Sequence, residues 1–467
     1  MSRIARPSSG CCWSVFGLWC ISFVALAASA ESATPPNIVI ILADDLGYGD
    51  LGCYGNPTIR TPHLDRMARE GMRFTQFYSA AEVCTPSRAA LLTGRLPPRN
   101  GMCGKRRVLF PGSKSGLLPE EITIAELLKT KGYATACVGK WHLGHLPQFL
   151  PGKQGFDYYF GIPYSNDMDR VATAPKGRAA FLAPKSEYWN VPLLRNAEVV
   201  EQPADQHTVT RRYAEEAVKF IREHKTQPFF LYLPHTMPHV PLFASQDFEK
   251  KSRRGIFGDA VEELDHAVGS VLQALREEKL AENTLVFFTS DNGPWLTQLE
   301  QGGSAGLLRE GKGSTWEGGM REPAIAWRPG TVPAGAVSAE LASTLDFLPT
   351  CCALAGVAVP QDRTLDGFDV SLALAGGKSP RNEMFFYRAY ELMAVRVGPW
   401  KAHFQTQAGY GQAEPTRHDP PLLFNVEVDA GEKFDVAGKS AEVLAEIGKV
   451  AEKHRAGMKA ATSQLDL

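Results

Sequence analysis

The sequence predicts a doubly wound α/β sandwich with a smaller antiparallel subdomain at its C-terminal end, and three observations lead there. Four apolar runs read as central parallel strands covered on both faces: NIVIIL from Asn37, ATACVGK from Ala134, PFFLYLP from Pro228 and TLVFFT from Thr284. Segments with helical spacing alternate with them along most of the chain. After about Leu345 the alternation gives way to closely spaced short strand-like runs.

In chain order, the first thirty residues carry Arg3 and Arg6, an apolar run from Trp13 through Ala27, and Ala28-Ser29-Ala30 ahead of Glu31. This is the pattern of a cleaved secretory signal, and the run is shorter than the ~20 residues of a membrane span, so no retained span is expected. NIVIIL ends in Asp44 and Asp45. Thr61-Pro62 opens the helix HLDRMARE, closed by Gly71, and ITIAELLKTK from Ile122 closes at Gly132. ATACVGK leads to Lys140 and His142. Val209 to His224 reads as a helix before PFFLYLP, which leads to His235 and His239. Asp259 to Lys279 is helical, with Val261, Leu264, Val268, Val271, Leu272 and Leu275 on its apolar face, and TLVFFT ends in Asp291 and Asn292.

A small, apolar helix follows from Leu345 to Ala355, then turn signals over Pro360 to Gly367 and Gly376 to Pro380. Strand-like runs at Met384 to Tyr387, Met393 to Val397 and Trp400 to Phe404 precede a last helix from Ala441 to Met458. The expected divisions are a signal at 1–30, a main α/β domain at 31–375 and an α+β subdomain at 376–467.

Ligands of open α/β sheets bind beyond the carboxyl ends of the strands. One polar strand end is ordinarily a turn. Four such ends, each with chemically capable residues, are expected to converge on one site. Asp44, Asp45, Asp291 and Asn292 offer only oxygen, which suits a hard cation, calcium first and magnesium second, and suits zinc poorly.

Fifty Lys and Arg against 51 Asp and Glu leave a net charge of -1 in 467 residues. No global field draws the chain to nucleic acid, and recognition of anions has to be local. Of nine cysteines, Cys11, Cys12 and Cys20 lie in the signal, leaving Cys53, Cys84, Cys103, Cys137, Cys351 and Cys352. That is no disulfide framework, and the adjacent Cys351 and Cys352 read as helix-packing residues. Asn56 precedes Pro57 and no glycosylation sequon occurs, which favours a bacterial periplasmic or extracellular protein.

The stretch CTPSRAALLTGR, Cys84 to Arg95, reads as a helix start, with Pro86 at its first position, Thr85 or Ser87 as cap and Gly94 at its end. Cys84 then lies at the positive helix end, with Arg88 one turn on, where anions bind and thiol chemistry is favoured. A buried cysteine before an ordinary helix is the competing reading.

C-T-P-S-R followed by A-x-L-L-T-G-R resembles the signature of the type I sulfatases. ADDLGYGDLGCYG, VGKWHLG, GIPYSND, HTMPHVP, FTSDNG and GKGSTWEGGMREP each resemble sulfatase segments in order, and Met393 to Val436 resembles the arylsulfatase A and N-acetylgalactosamine-6-sulfatase branch. The resemblance implies an alkaline-phosphatase-like α/β/α sandwich. It implies that a formylglycine-generating maturation enzyme converts Cys84 to formylglycine, whose hydrate cleaves sulfate monoesters of a sulfated carbohydrate or aryl alcohol through a sulfo-enzyme intermediate. It further implies Asp44, Asp45, Asp291, Asn292 and residue 84 as ligands of one divalent cation. Arg88, Lys140, His142, Ser165, His239 and Lys312 match residues that hold the sulfate or move protons. In these roles Arg88, Lys140 and Lys312 stabilise the sulfate oxygens, Lys312 or His239 protonates the departing alcohol, and His142 takes a proton as sulfate leaves.

Two alternatives are a phosphoesterase of the same superfamily and a sulfated-glycan binder that has lost turnover. His235 reads as structural, and Glu317 with Arg321 as a structural ion pair. Tyr188, Trp189, Trp295 and Phe404 are candidates either for stacking on a sugar or for packing.

Overall fold

NIVIIL forms strand β1 (Asn37–Ala43), buried at all seven positions as a strand covered on both faces must be. The computed structural model describes residues 35–410 and 414–467, with residue 10 besides, so the signal read over 1–30 lies outside the described residues. Ten more strands complete the sheet of β1: β2 (Met72–Tyr78), β3 (Ala134–Val138), β4 (Tyr158–Gly161), β5 (Leu193–Arg195), β6 (Glu198–Glu201), β7 (Phe229–Pro234), β8 (Thr284–Ser290), β9 (Arg321–Trp327), β10 (Ala336–Ser338) and β11 (Ala342–Ser343). They lie in the order β10-β2-β9-β8-β1-β7-β3-β4-β5-β6, with β11 paired to β2.

The four runs read from the sequence are four adjacent strands, β8-β1-β7-β3, all parallel. The rest of the sheet is mixed, unlike the simple alternation expected: β9 runs antiparallel to both β2 and β8, and β4, β5 and β6 pair antiparallel. Pro323 hid β9 in the sequence, because a proline argues against a central strand. It sits at the register shift between Phe74 and Phe77 of β2, where the ladder tolerates a missing N–H.

Alternation along β1 builds three layers. Val39 and Ile41 pack with Leu64 and Met67 of helix α1 (Pro62–Glu70), and with the long helices Val209–Glu223 and Gly255–Glu277 through Tyr213, Phe220, Leu264 and Val268. Ile38, Ile40 and Leu42 point to the other face, against Ala89, Leu91 and Leu92 of α2 (Cys84–Thr93), Ile124 and Leu128 of α3 (Ile124–Lys129), and Phe347, Leu348, Cys351 and Cys352 of the Phe347–Ala355 helix. Each Val, Leu, Ile, Phe or Met among them contributes about 1.5–3 kcal/mol by leaving water. Thr123 and Glu126 close a capping box at the start of α3. The six cysteines among the described residues are all free, and Cys351 and Cys352 pack as expected.

A second, antiparallel sheet follows in the order β12 (Glu383–Arg388), β13 (Glu391–Val397), β14 (Trp400–Thr406) and β15 (Thr416–Asn425), packed by Ile447 and Ala451 of the Ala441–Gly457 helix. β15 went unseen because Pro420 and Pro421 interrupt it, and it is an edge strand, where proline is allowed.

A buried charge network ties this sheet to the large one. Glu317 accepts from Lys401 Nζ at 2.9 Å, Arg321 at 3.1 Å and Tyr78 at 2.5 Å. Glu432 lies 3.2 Å from Lys401 and accepts from the Glu317 backbone N–H at 2.7 Å. Glu317 and Arg321 are therefore structural, as read. Burial alone raises the Glu317 carboxyl, but Lys401, Arg321 and Arg396 outweigh it and hold it below its ordinary 4.5. A depressed carboxyl stabilises the fold above its unfolded value, and that stability is lost as pH falls below 4.5. Lys401→Met leaves two buried carboxylates without their shared cation, so it is expected to cost about 3–5 kcal/mol in urea unfolding at neutral pH. It also flattens the acid limb of the stability curve. A variant with the wild-type midpoint would show that the network contributes nothing.

Candidate active site

Parallel strands end on one edge of a sheet, and the edge here collects the predicted residues. β1 delivers Asp44 and Asp45, β8 delivers Asp291 and Asn292, β3 leads to Lys140 and His142, and β7 leads to His235 and His239. β4 runs parallel to β3 and leads to Ser165. β9 is antiparallel to both its neighbours, so β2 ends where β9 begins, at the same edge. The exit of β2 leads to Cys84, and Lys312 precedes β9. Asp44, Asp45, Cys84, Arg88, Lys140, His142, Ser165, His239, Asp291, Asn292 and Lys312 are all at most 4% exposed.

The backbone is bent to make these turns. Asp45 at φ 62 and His142 at φ 59 hold left-handed conformations that non-glycine residues adopt reluctantly. Gly139, at φ 132, brings Lys140 into place, and a Cβ there would lie 1.9 Å from the Pro234 carbonyl oxygen.

Helix α2 differs in detail from its reading. Cys84 is its first residue, Pro86 its third, and no side chain caps it. Thr85 Oγ1 instead donates to the His142 carbonyl at 3.1 Å and accepts from Leu109 N–H at 3.3 Å, tying the helix start to the His142 turn. Gly94 ends the helix at φ 64, as expected. Burial raises the Cys84 thiol despite Lys140 and Lys312, so ordinary thiolate chemistry is disfavoured here, contrary to the expectation from the helix start alone.

Three cations face three carboxylates. Arg88 donates to Asp291 Oδ2 at 2.9 and 2.7 Å and to the Lys140 carbonyl at 2.9 Å, and lies 3.3 Å from Asp44 Oδ2. Its donors thus brace two acids. Lys140 Nζ bridges Asp44 Oδ2 and Ser165 Oγ, at 2.5 and 3.1 Å. Lys312 Nζ reaches Asp45 at 2.8 Å, and His239 Nε2 stands 3.6 Å from the same carboxylate. His142 Nε2 lies 2.9 Å from the Leu109 carbonyl, which only accepts, so the proton is on Nε2. Its Nδ1 is buried without a partner. Burial, with Lys140 next, holds His142 well below its ordinary value and hence neutral.

A cation fits the acidic corner. Asp44 Oδ1 and Asn292 Oδ1 are buried without partners, while Asn292 Nδ2 donates to Asp45 Oδ1 at 2.7 Å. One ligand atom each from Asp44, Asp45 and His239 lie within 4.8 Å of one another. His239 was not among the ligands read from the sequence. A divalent cation would move the balanced set of charges to a surplus of two positives, which favours an anionic ester.

His235 is buried outside this cluster, with both ring nitrogens unpartnered and Tyr213 at 6.1 Å. Trp189 is a core residue between Phe181 and Phe243, and Phe404 packs under Arg455. Tyr188 packs on Trp189. Of these four aromatics Trp295 reaches the site, its ring centroid 4.5 Å from Lys312 Nζ and 5.5 Å from His239. Tyr410, its ring tilted against Trp295 at 5.1 Å, and Asp167, whose carboxyl burial raises beside Lys140, were not singled out as site residues in the sequence. Both sit in loops that carry no pattern.

A family profile described as Sulfatase matches residues 36–357, and one described as C-terminal region of aryl-sulfatase matches residues 379–467. Arylsulfatase A of Homo sapiens is 47% identical over 449 residues, covering 90% of this chain and 88% of its own. N-acetylgalactosamine-6-sulfatase of Canis lupus familiaris is 42% identical over 494 residues, covering 96% and 92%. In structure the chain is similar to the PsFucS1 sulfatase from Pseudoalteromonas sp., with a TM-score of 0.83, 31% identity and 91% of each chain covered. An alkaline-phosphatase-like α/β/α sandwich with cations and acids gathered at the carboxyl edge of its strands defines a hydrolase of anionic esters. The chain belongs to the sulfatase family and is a sulfuric ester hydrolase.

Proposed function

We propose that this sulfatase cleaves sulfate monoesters of a sulfated carbohydrate or aryl alcohol, with residue 84 acting as formylglycine. The observation that carries the reading is Cys84 at the start of α2, buried among Lys140, Lys312, Asp44 and Asp291, where burial raises its thiol above the ordinary value. The hydrated aldehyde supplies two hydroxyls, one to attack sulfur and one to expel sulfate, which a serine cannot do. Asp44, Asp45, Asp291 and Asn292, with residue 84, would hold one divalent cation, calcium before magnesium because the donors are oxygens. When bound, that cation supplies Lewis acidity beside residue 84.

The chain's own groups do the rest. Lys140 and Lys312 neutralise the sulfate oxygens with Ser165 and His239 beside them, and Arg88 keeps Asp44 and Asp291 in place. Lys312 or His239 protonates the departing alcohol. His142 accepts a proton on Nδ1 as sulfate leaves, because Nε2 is committed to Leu109. His142→Ala is therefore expected to leave a burst of alcohol release followed by turnover slowed about 10²–10⁴-fold, read by stopped-flow. Loss of the burst itself would remove this assignment.

The reading includes a catalytic part at 31–375, a C-terminal subdomain at 376–467, a formylglycine-generating maturation partner, and export to the bacterial periplasm or beyond. The apolar run before Ala28-Ser29-Ala30 supports export. Among the described residues no helix is long and apolar enough to cross a membrane. The names of the sugar-sulfate relatives support a carbohydrate ester. Turnover of an aryl sulfate and an aryl phosphate by protein matured with a formylglycine-generating enzyme tests the function. Faster sulfate release is the expected result, and faster phosphate release would move the chain to phosphoester chemistry.

A further inference from the structure

Lys312 is followed by Gly313, whose carbonyl receives two guanidinium groups, from Arg107 at 3.3 Å and Arg388 at 2.6 Å. Arg107 also bonds Glu82 at 2.8 Å, and Glu82 is the carboxylate whose charge acts on Arg388. Among the described residues, these two cations share Glu82. Burial, and next the neighbouring Arg107, push Arg388 down to about 10. A neutral carbonyl has no need of two charges, whereas a second anion would relieve their repulsion.

An aromatic wall joins this pair to the catalytic centre. The Arg107 guanidinium lies 4.9 Å over the Tyr410 ring, Tyr410 stands 5.1 Å from Trp295, and Trp295 contacts Lys312 and His239. Arg107, Arg388, Tyr410 and Trp295 are each partly exposed, so a ligand from solvent can reach them. Guanidinium groups bind planar oxyanions with paired donors, and aromatic faces accept the apolar face of a sugar ring.

We propose that Arg107 and Arg388 form a second anion site beside the catalytic centre, holding a carboxylate or second sulfate on the saccharide that bears the scissile ester, with Tyr410 and Trp295 against its ring. The assignment rests on the sulfatase reading for the scissile group. It adds a substrate class, the doubly anionic sulfated saccharide.

Binding to the Cys84→Ala protein, measured by calorimetry, tests it without turnover. The probes are a sulfated disaccharide with a uronate carboxylate, the methyl ester of that uronate, and matched disulfated and monosulfated neutral disaccharides. At least one doubly anionic probe is expected to bind about tenfold or more tighter than its singly charged counterpart, the scale of a charge-assisted hydrogen bond. Which one does so distinguishes carboxylate from sulfate. Adding Arg388→Gln is expected to shrink that ratio to about twofold, and Arg388→Lys to restore part of it. Equal affinities within both pairs would overturn the proposal. So would an equal fall for both members of a pair in Arg388→Gln, the result of a mere brace for Gly313. If matured enzyme fails to hydrolyse an aryl sulfate while the binding ratio stands, the functional reading falls and the anion site does not.

Discussion

Cys84→Ala is expected to release no sulfate above background, a loss on the order of 10⁴–10⁶ in kcat, the scale seen when an enzyme loses its nucleophile. The fold should survive, because the change removes one sulfur atom from a packed helix start and leaves Arg88, Thr85 and the acids in their bonds. Cys84→Ser separates the nucleophile from the aldehyde. A serine hydroxyl beside Lys140 and Lys312 can attack sulfur once but has no second hydroxyl with which to expel sulfate. Its expected signature is at most one equivalent of alcohol released per enzyme, with sulfate retained on the peptide. Steady turnover by either variant, counted by released sulfate, would place the nucleophile elsewhere.

Asp291→Asn is expected to have the next largest effect, because Asp291 serves two partners. Its Oδ2 takes two donors of Arg88, and its Oδ1 takes the Asp45 backbone N–H at 3.2 Å. Removing the charge leaves a fully buried guanidinium short of the nearer of its two acids, a change that costs about 3–5 kcal/mol. It also takes a carboxylate oxygen from the proposed cation site, so kcat should fall about 10³-fold or more. Two measurements separate these effects. Thermal unfolding of the wild type should rise with added calcium, by about 3 kcal/mol at a hundredfold excess over Kd, and much less in the variant. Chelation should abolish sulfate release by the wild type, with calcium restoring it. A wild type indifferent to chelator in both assays would remove the cation from the account.

The central strands were legible because burial on both faces writes a continuous apolar run, as in β1 and β8, and their polar ends marked the site. The signature around Cys84 was equally plain. What failed to show has physical causes. β9 and β15 contain prolines tolerated only by a register shift and an edge position, neither of which leaves a local mark. Thr85 looks like a cap, yet it spends its hydroxyl on the His142 turn 57 residues away, a partner that only tertiary structure supplies. Arg107 lies far from Arg388 and Tyr410 in the chain and meets them because the small sheet docks beside the Lys312 loop.

The central claim is that residue 84 acts as an aldehyde and not as a thiol. The most direct measurement is mass spectrometry of the tryptic peptide from Phe74 to Arg88, taken on preparations made with and without a formylglycine-generating enzyme, beside sulfate release from the same samples. The account predicts that the aldehyde mass and the activity appear together and in proportion. Full activity from a preparation in which Cys84 remains an intact thiol would contradict it.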